Sequence, residues 1–317
     1  MQLISYFQTN QGKLWPATHY QPNCWINVQQ PTTTEITQLQ QHFNLPQDYL
    51  TAVLDDKENP RTEGIEQSVL EKPALILLRF PQESVSPLGY SEYMTYPFAI
   101  ILTQGAVITI SNRPALFMRD FLLTPQSVNT ANHERLALKL IWAIDRSFLN
   151  CLEQNNRAMN HLEKTLAQAT ENDDLFHLTA MQKSLIRFQG ALHKNQQLIT
   201  HLQTSEFYFE TTPFKALPTD ILVESEQADT MTKQQKQVID EYNTTVSAIV
   251  SNNLNEVMKV LTLITIVLTI PTIVAGLYGM NVHLPGASHV HAFSFIIFGI
   301  LIGSWLATLW LQRRYFF

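Results

Sequence analysis

Two apolar runs near the C-terminus, residues 258–281 and 292–311, constrain what this chain can fold into more than any other feature. Each is long enough to cross a bilayer, since a spanning helix needs about 20 residues. The first run is not uniformly apolar. Asn255, Met258, Thr262, Thr265, Thr269, Thr272, Gly276 and Gly279 recur three and four residues apart, so they share one helical stripe. The other faces are Leu, Ile and Val. A membrane helix with one small, hydroxylated face either packs that face on a neighbour or lines a wet path with it.

The link between the runs, residues 282–291, carries no Lys or Arg, while Lys259 opens the first run and Arg313 and Arg314 follow the second. By the positive-inside rule both termini are cytoplasmic and the link faces out. The start of the chain has no basic stretch followed by an apolar core, so no signal peptide is expected and the hydrophobic end inserts without cleavage. Cys24 and Cys151 are far apart and outside any CxxC spacing, which fits a reducing compartment. The net charge of −6 argues against a nucleic-acid partner.

Upstream of the runs the pattern is that of a soluble protein. Short stretches rich in Ile, Leu, Val and aromatics at 3–7, 24–28, 74–79, 98–102 and 106–111 predict strands, with helices at 34–43 and 46–54 between them. The polar segment Asp55-Asp56-Lys57-Glu58-Asn59-Pro60-Arg61 reads as a solvated loop, whose carboxylates offer a cation ligands as the alternative. Helical spacing follows at 132–169 and 175–204. A new helix, capped by Thr219 or Asp220, then runs without a strong break into the first apolar run. Its seam of Ile239, Tyr242, Val246, Ile249 and Leu254 needs partners in water.

At the end of the first run, Tyr278-Gly279-Met280-Asn281 resembles the signature of the CorA family of divalent-cation channels, and residues 255–262 resemble that family's junction between stalk and membrane. The resemblance includes the family's ZntB-like members and covers the whole architecture, although only residues 255–281 match closely. It implies an α+β cytoplasmic domain, a long stalk helix and two C-terminal transmembrane helices in a funnel-shaped homopentamer. The expected divisions are 1–127 (α/β), 128–217 (helical part of the cytoplasmic domain), 218–257 (stalk), 258–281 (first span), 282–291 (external loop), 292–311 (second span) and 312–317 (cytoplasmic tail). The resemblance implies a cell-membrane protein with lipid and four further copies of itself as partners.

The resemblance also assigns roles. Gly279, Met280 and Asn281 form the selectivity filter, and Asn255, Met258, Leu261, Thr262, Thr265, Thr269, Thr272 and Gly276 line the pore. Magnesium sheds its waters reluctantly, and a ring of Asn281 carboxamides can accept hydrogen bonds from the hydrated ion without stripping it. The rival reading of Asn281 is a helix C-cap. The rival reading of the threonines is a hydroxyl bonded back to the carbonyl one turn earlier, with no need of water. Met258 and Leu261 either narrow the pore or pack. Asp220, Glu224 and Asp229 fall where family members bind regulatory Mg2+, and they read equally well as a solvated helix face.

Two departures stand out. The link lacks the acidic residue that many magnesium-type members carry there, and Thr269 stands where many relatives have a bulky apolar residue. The link instead has His283, His289 and His291, and neutral imidazole suits zinc, cobalt or nickel better than magnesium. The expected function is passive magnesium uptake gated by cytoplasmic Mg2+. The alternatives are a ZntB-like transporter of Zn2+, Co2+ or Ni2+, and a non-conducting cation sensor or scaffold. No P-loop, dinucleotide fingerprint, HExxH or GxSxG motif is present, so neither an enzyme nor a nucleotide-driven pump is expected.

Overall fold

The structure is a computed structural model that describes residues 4–10, 12–66, 70–123, 128–166, 172–204, 216–280 and 291–315. It divides into two compact units, Met1–Asn243 and Thr244–Phe317, and the division falls within one helix.

Seven strands form the sheet of the first unit: β1 (Ile4–Asn10), β2 (Lys13–Ala17), β3 (Cys24–Gln29), β4 (Arg61–Glu63), β5 (Ala74–Val85), β6 (Ser91–Leu102) and β7 (Ala106–Ser111). Their spatial order is β2-β1-β3-β7-β6-β5-β4, with β3 and β7 parallel and the other pairs antiparallel. The five predicted strands are present, and two of them are twice as long as predicted. Pro81 and Pro97, which interrupt the apolar pattern, sit inside β5 and β6 opposite Thr95 and Arg79. The two strands not foreseen, β2 and β4, lie at the sheet edges. There Pro16 is tolerated in β2, because an edge strand has one side with no ladder to complete.

Alternate side chains point to opposite faces, so the sheet builds two cores. On one face Ile26, Val28, Leu75, Leu77, Ile101, Ile108 and Ile110 pack against α1 (Thr33–Phe43) and α2 (Gln47–Thr51). Thr32 caps α1 through a capping box with Glu35, and Asn44 closes it in the left-handed region. On the other face aromatic side chains dominate. Trp25 meets Phe121, Phe80 and Phe98 meet Phe117, and Tyr93 meets Phe188, each with ring centroids within 5.7 Å. Phe117 and Phe121 belong to α3 (Leu116–Leu123), a short helix that the sequence pattern did not suggest.

Three long helices complete the order: α4 (His133–Leu166), α5 (Asn172–Thr204) and α6 (Ala216–Tyr278). α6 starts before the predicted cap, so Thr219 and Asp220 lie inside its first turns. Pro218 is compatible with that start, because the first-turn N–H groups have no intrahelical acceptor to lose. Hydrogen bonds set the register of these helices. Asn155 Nδ2 donates to Gln235 Oε1 (3.0 Å), Gln182 Nε2 to Asp240 Oδ1 (2.9 Å) and Gln203 Nε2 to Thr219 Oγ1 (3.2 Å). With Trp142 Nε1 donating to Glu224 as a second α4–α6 bond, the partner numbers rise together for α4 and α6 and in opposition for α5 and α6, so α4 runs parallel to α6 and α5 antiparallel.

The second unit holds the remainder of α6 and α7 (Ala292–Tyr315). Both are long and apolar enough to cross a membrane.

Candidate functional site

The stripe seen in the sequence lies on α6 from Asn255 to Gly276, with Gly279 one residue past the helix end, and α6 remains helical through Pro271. At 100° per residue its positions from Asn255 to Gly279 fall within an arc of about 120°. Met258 and Leu261, at the start of this stretch, are 53 % and 55 % exposed in the single chain.

All four stripe threonines take the back-bonded rotamer. The hydroxyl of Thr262 donates to the Met258 carbonyl (2.8 Å), Thr265 to Leu261 (2.8 Å), Thr269 to Thr265 (2.7 Å) and Thr272 to Leu268 (2.7 Å). This geometry satisfies each O–H within the helix. It also decides what each hydroxyl shows outward. A hydroxyl has one donor and two acceptor lone pairs, so once the donor is spent only acceptors remain. The four threonines therefore show only acceptors outward, which suits the outward-pointing hydrogens of a hydrated cation.

At the end of α6, Gly279 N donates to Ala275 O (2.9 Å) and Met280 N to Leu277 O (3.3 Å). A Cβ on Gly279 would stand 3.2 Å from Ala275 O, so glycine lets the helix close tightly there, whereas a Cβ on Gly276 would meet nothing within 4 Å. Asn281, His283 and His289 lie outside the described residues. His291 is exposed just before α7, and its carbonyl accepts from Phe295 N (3.1 Å).

The acidic candidates near the start of α6 have separate surroundings. Asp220 is exposed. Glu224 accepts a hydrogen bond from Trp142 Nε1 on α4, and Asp229 pairs with Lys233 at 2.6 Å. Among the described residues no three His, Cys, Asp or Glu side chains gather as a metal would require.

The loop at 55–61 is more ordered than its polarity suggests. Arg79 donates to the carbonyls of Glu58 (2.6 Å) and Asp56 (2.8 Å), Arg113 pairs with Asp56 (2.7 Å), and Arg61 pairs with Glu58 and Glu63 (both 2.6 Å). Asp56 and Glu58 are thus engaged by arginines, and Asp55 Oδ1 accepts from Lys57 N (2.9 Å).

One group was missed by the sequence reading. Asp145 on α4 is 1 % exposed, and burial first, then the Glu224 carboxylate, holds its carboxyl well above the usual range. The signal was available: Asp145 falls in register with Ile141, Phe148 and Leu152, in the most apolar part of α4. Cys151, also on α4, is pushed up to about 12 by burial, which makes it an inert thiol.

The family description "CorA-like Mg2+ transporter protein" matches residues 20–314. A cobalt/magnesium transport protein CorA of Methanocaldococcus jannaschii is 20 % identical over 293 residues, 92 % of this chain and 90 % of that protein. The complete structure of a CorA magnesium transporter from the same organism superposes with a TM-score of 0.79 at 18 % identity, covering 99 % of this chain and 98 % of the other. The cytoplasmic domain of ZntB from Vibrio parahaemolyticus gives 0.52 at 18 % identity, covering 81 % and 100 %.

Proposed function

The chain belongs to the CorA-like Mg2+ transporter family, a family of divalent-cation transporters, and from that premise we propose that it carries hydrated Mg2+ passively into the cell. The observation that carries this reading is the row of acceptors that Thr262, Thr265, Thr269 and Thr272 show outward on a membrane-length helix. A scaffold or sensor has no need of such a face. A pore for a hydrated cation does, because the water hydrogens of the ion point outward and seek acceptors.

In this reading five copies place their α6 stripes around a central path, with both termini cytoplasmic. Met258 and Leu261 form an apolar constriction at the cytoplasmic end, and Asn281 forms a carboxamide ring at the outer end beside Gly279 and Met280. Neutral carboxamides hold the ion weakly enough to release it. No nucleotide is required. A divalent cation entering down the membrane potential gains about 4.6 kcal/mol per 100 mV. Cytoplasmic Mg2+ closes the path, with Asp220, Glu224 and Asp229 as candidate ligands supplied by different copies. The zinc reading rests on His283, His289 and His291 in place of an acidic link.

Purified protein in liposomes with an inside-negative potential is expected to take up Mg2+, and Asn281→Ala to abolish the uptake while the oligomer stays intact. Zn2+ uptake without Mg2+ uptake would shift the assignment to zinc. Folded oligomers that carry no divalent cation at all would sink the channel reading.

A further inference from the structure

A cleft of about 450 Å³ runs along one face of α4, within the first unit. Through Lys139, Trp142, Arg146, Asn150 and Gln154, α4 supplies a residue at every third or fourth position, so one helical stripe about 22 Å long forms a wall. α3 faces it with Leu116, Phe117 and Phe121, and β5 with Pro81, Gln82 and Glu83. None of these residues has a part in the proposed permeation path. Several polar groups of the lining are spent within the chain. Trp142 Nε1 donates to Glu224, the Tyr93 hydroxyl to Gln154 Oε1 (2.8 Å) and Ser147 Oγ to the Ile144 carbonyl (2.6 Å), while Asp120 and Lys139 have partners of their own.

Gln82, Arg146 and Glu83 can still take a ligand. Gln82 Oε1 is buried without a hydrogen-bond donor, which costs free energy until an N–H reaches it. Arg146 is exposed, and its fork of donors suits a carboxylate. Glu83 is exposed too. Its Oε1 accepts from Ser91 Oγ (2.8 Å), and a carboxylate has about four acceptor sites, so one neutral donor does not use it up. The two charges lie within reach of one small molecule. Glu83 pairs with Tyr93 across the hairpin and Tyr93 bonds Gln154, which places Glu83 at the Gln154 end of the stripe. Arg146 stands about 12 Å before Gln154 along the helix, a span that two long side chains and a ligand of amino-acid size cover together. Much of the remaining lining is aromatic: Phe117, Phe121, Tyr93 and the ring of Trp142. Small-ligand sites have this size, about 300–1,000 Å³, and this mixture of apolar wall and few polar groups. An ion of a single charge meets its own sign at one end of the cleft, whereas a zwitterion finds an opposite charge at each.

We propose that the cleft binds a small zwitterion with an apolar body, of the size of a free aromatic amino acid. Its carboxylate meets Arg146, its ammonium meets Glu83 and the Gln82 carbonyl oxygen, and its ring lies against Phe117, Phe121 and Trp142. Trp142 joins this site to α6, because the ring that lines the cleft is the one whose Nε1 reaches Glu224.

The test uses the full-length chain in lipid nanodiscs, with empty nanodiscs as the blank, at about pH 6, where an α-ammonium is charged. The probes share one ring: L-phenylalanine, L-phenylalaninamide, which lacks the carboxylate, and 3-phenylpropanoate, which lacks the ammonium. Binding is followed by ligand-observed NMR titration. An ordinary ligand efficiency at this size gives phenylalanine a Kd of about 1 mM, and each of the other two should bind about tenfold more weakly. Arg146→Met should weaken phenylalanine about tenfold and leave the amide unchanged. Glu83→Gln should weaken phenylalanine about tenfold and leave 3-phenylpropanoate unchanged. Both side chains are exposed, and ligand-free thermal midpoints within about 2 °C of the parent's would confirm that the variants keep the fold. The ranking of the probes on the parent chain reads the same site without any substitution. No binding of phenylalanine to the folded parent overturns the proposal. So do equal affinities for all the probes, which would leave an apolar patch only, and an affinity for phenylalanine that neither substitution moves, which would place the binding elsewhere.

Discussion

Glu134 and His133 open α4 side by side, and burial moves them in opposite senses. Glu134 is pushed up to about 7, with Oε2 buried and unpartnered, and His133 is lowered from its ordinary value. For Glu134 the stabilising contribution is complete below its unfolded value of about 4.3 and is lost as pH rises through about 7. For His133 it is complete above the unfolded value of about 6.5 and is lost as pH falls towards the folded one. The two slopes oppose each other below the unfolded histidine value of about 6.5, and above it the loss on the way to alkaline pH belongs to Glu134 alone. Glu134→Gln removes the alkaline arm. It should raise the thermal midpoint near pH 8 by about 2–4 °C, corresponding to about 1 kcal/mol after allowance for solvent screening at a partly exposed site. The variant and the parent should agree near about pH 4. A midpoint that falls equally in both as pH rises would show that this carboxyl is not the group titrating.

The stripe of α6 tests whether a hydroxyl matters for its shape or for its lone pairs. Valine matches threonine in outline but offers no acceptor, so a Thr265→Val, Thr269→Val chain should keep the helix, the oligomer and the melting profile. Mg2+ flux should nonetheless fall by about tenfold or more, about 1.4 kcal/mol added to the barrier. Thr→Ser at the same positions should restore it. Normal flux through the valine variant would leave back-bonding and packing as the whole account of the threonines. The position of this face was legible in the sequence because spacings of three and four residues are a property of the chain alone. The direction of each hydroxyl was not, since it depends on a choice between rotamers that spacing does not express. The same division applies elsewhere. The bounds of β7 are legible in a short stretch rich in Ile and Val, whereas β2 and β4 carry no such stretch and exist because β1 and β5 offer them open edges. α3 hides in a short apolar stretch whose helical form is set by aromatic contacts from β5 and β6. Asp145 was passed over because a polar residue within an apolar helix looks like a solvated position until its burial is known.

The whole molecule carries a surface that a lone chain in water cannot keep. Along the second half of α6 and along α7, large apolar side chains are exposed on every side, Leu268 at 63 % and Phe293 at 75 % among them. Lipid can cover the Leu, Ile and Val faces, but it is a poor neighbour for a row of hydroxyl oxygens. Two spans cannot enclose a path by themselves, so that row meets either its own copies or nothing. If it meets its copies, residues on the stripe approach an axis and residues on the opposite side of α6 do not. Met258 lies on the stripe, and Val260 is rotated by about 160° from it at 100° per residue. In a background of Cys24→Ala and Cys151→Ala, Met258→Cys should therefore form disulfide-linked dimers on mild oxidation in the membrane. Val260→Cys should remain monomeric on the same denaturing gel. Light scattering of the unoxidised detergent complex should give the mass of about five chains, the copy number that the proposed central path requires. Equal cross-linking at both positions, or none at either in an oligomer of the expected mass, would mean that α6 turns another face to the axis and that the stripe is not the wall of the pore.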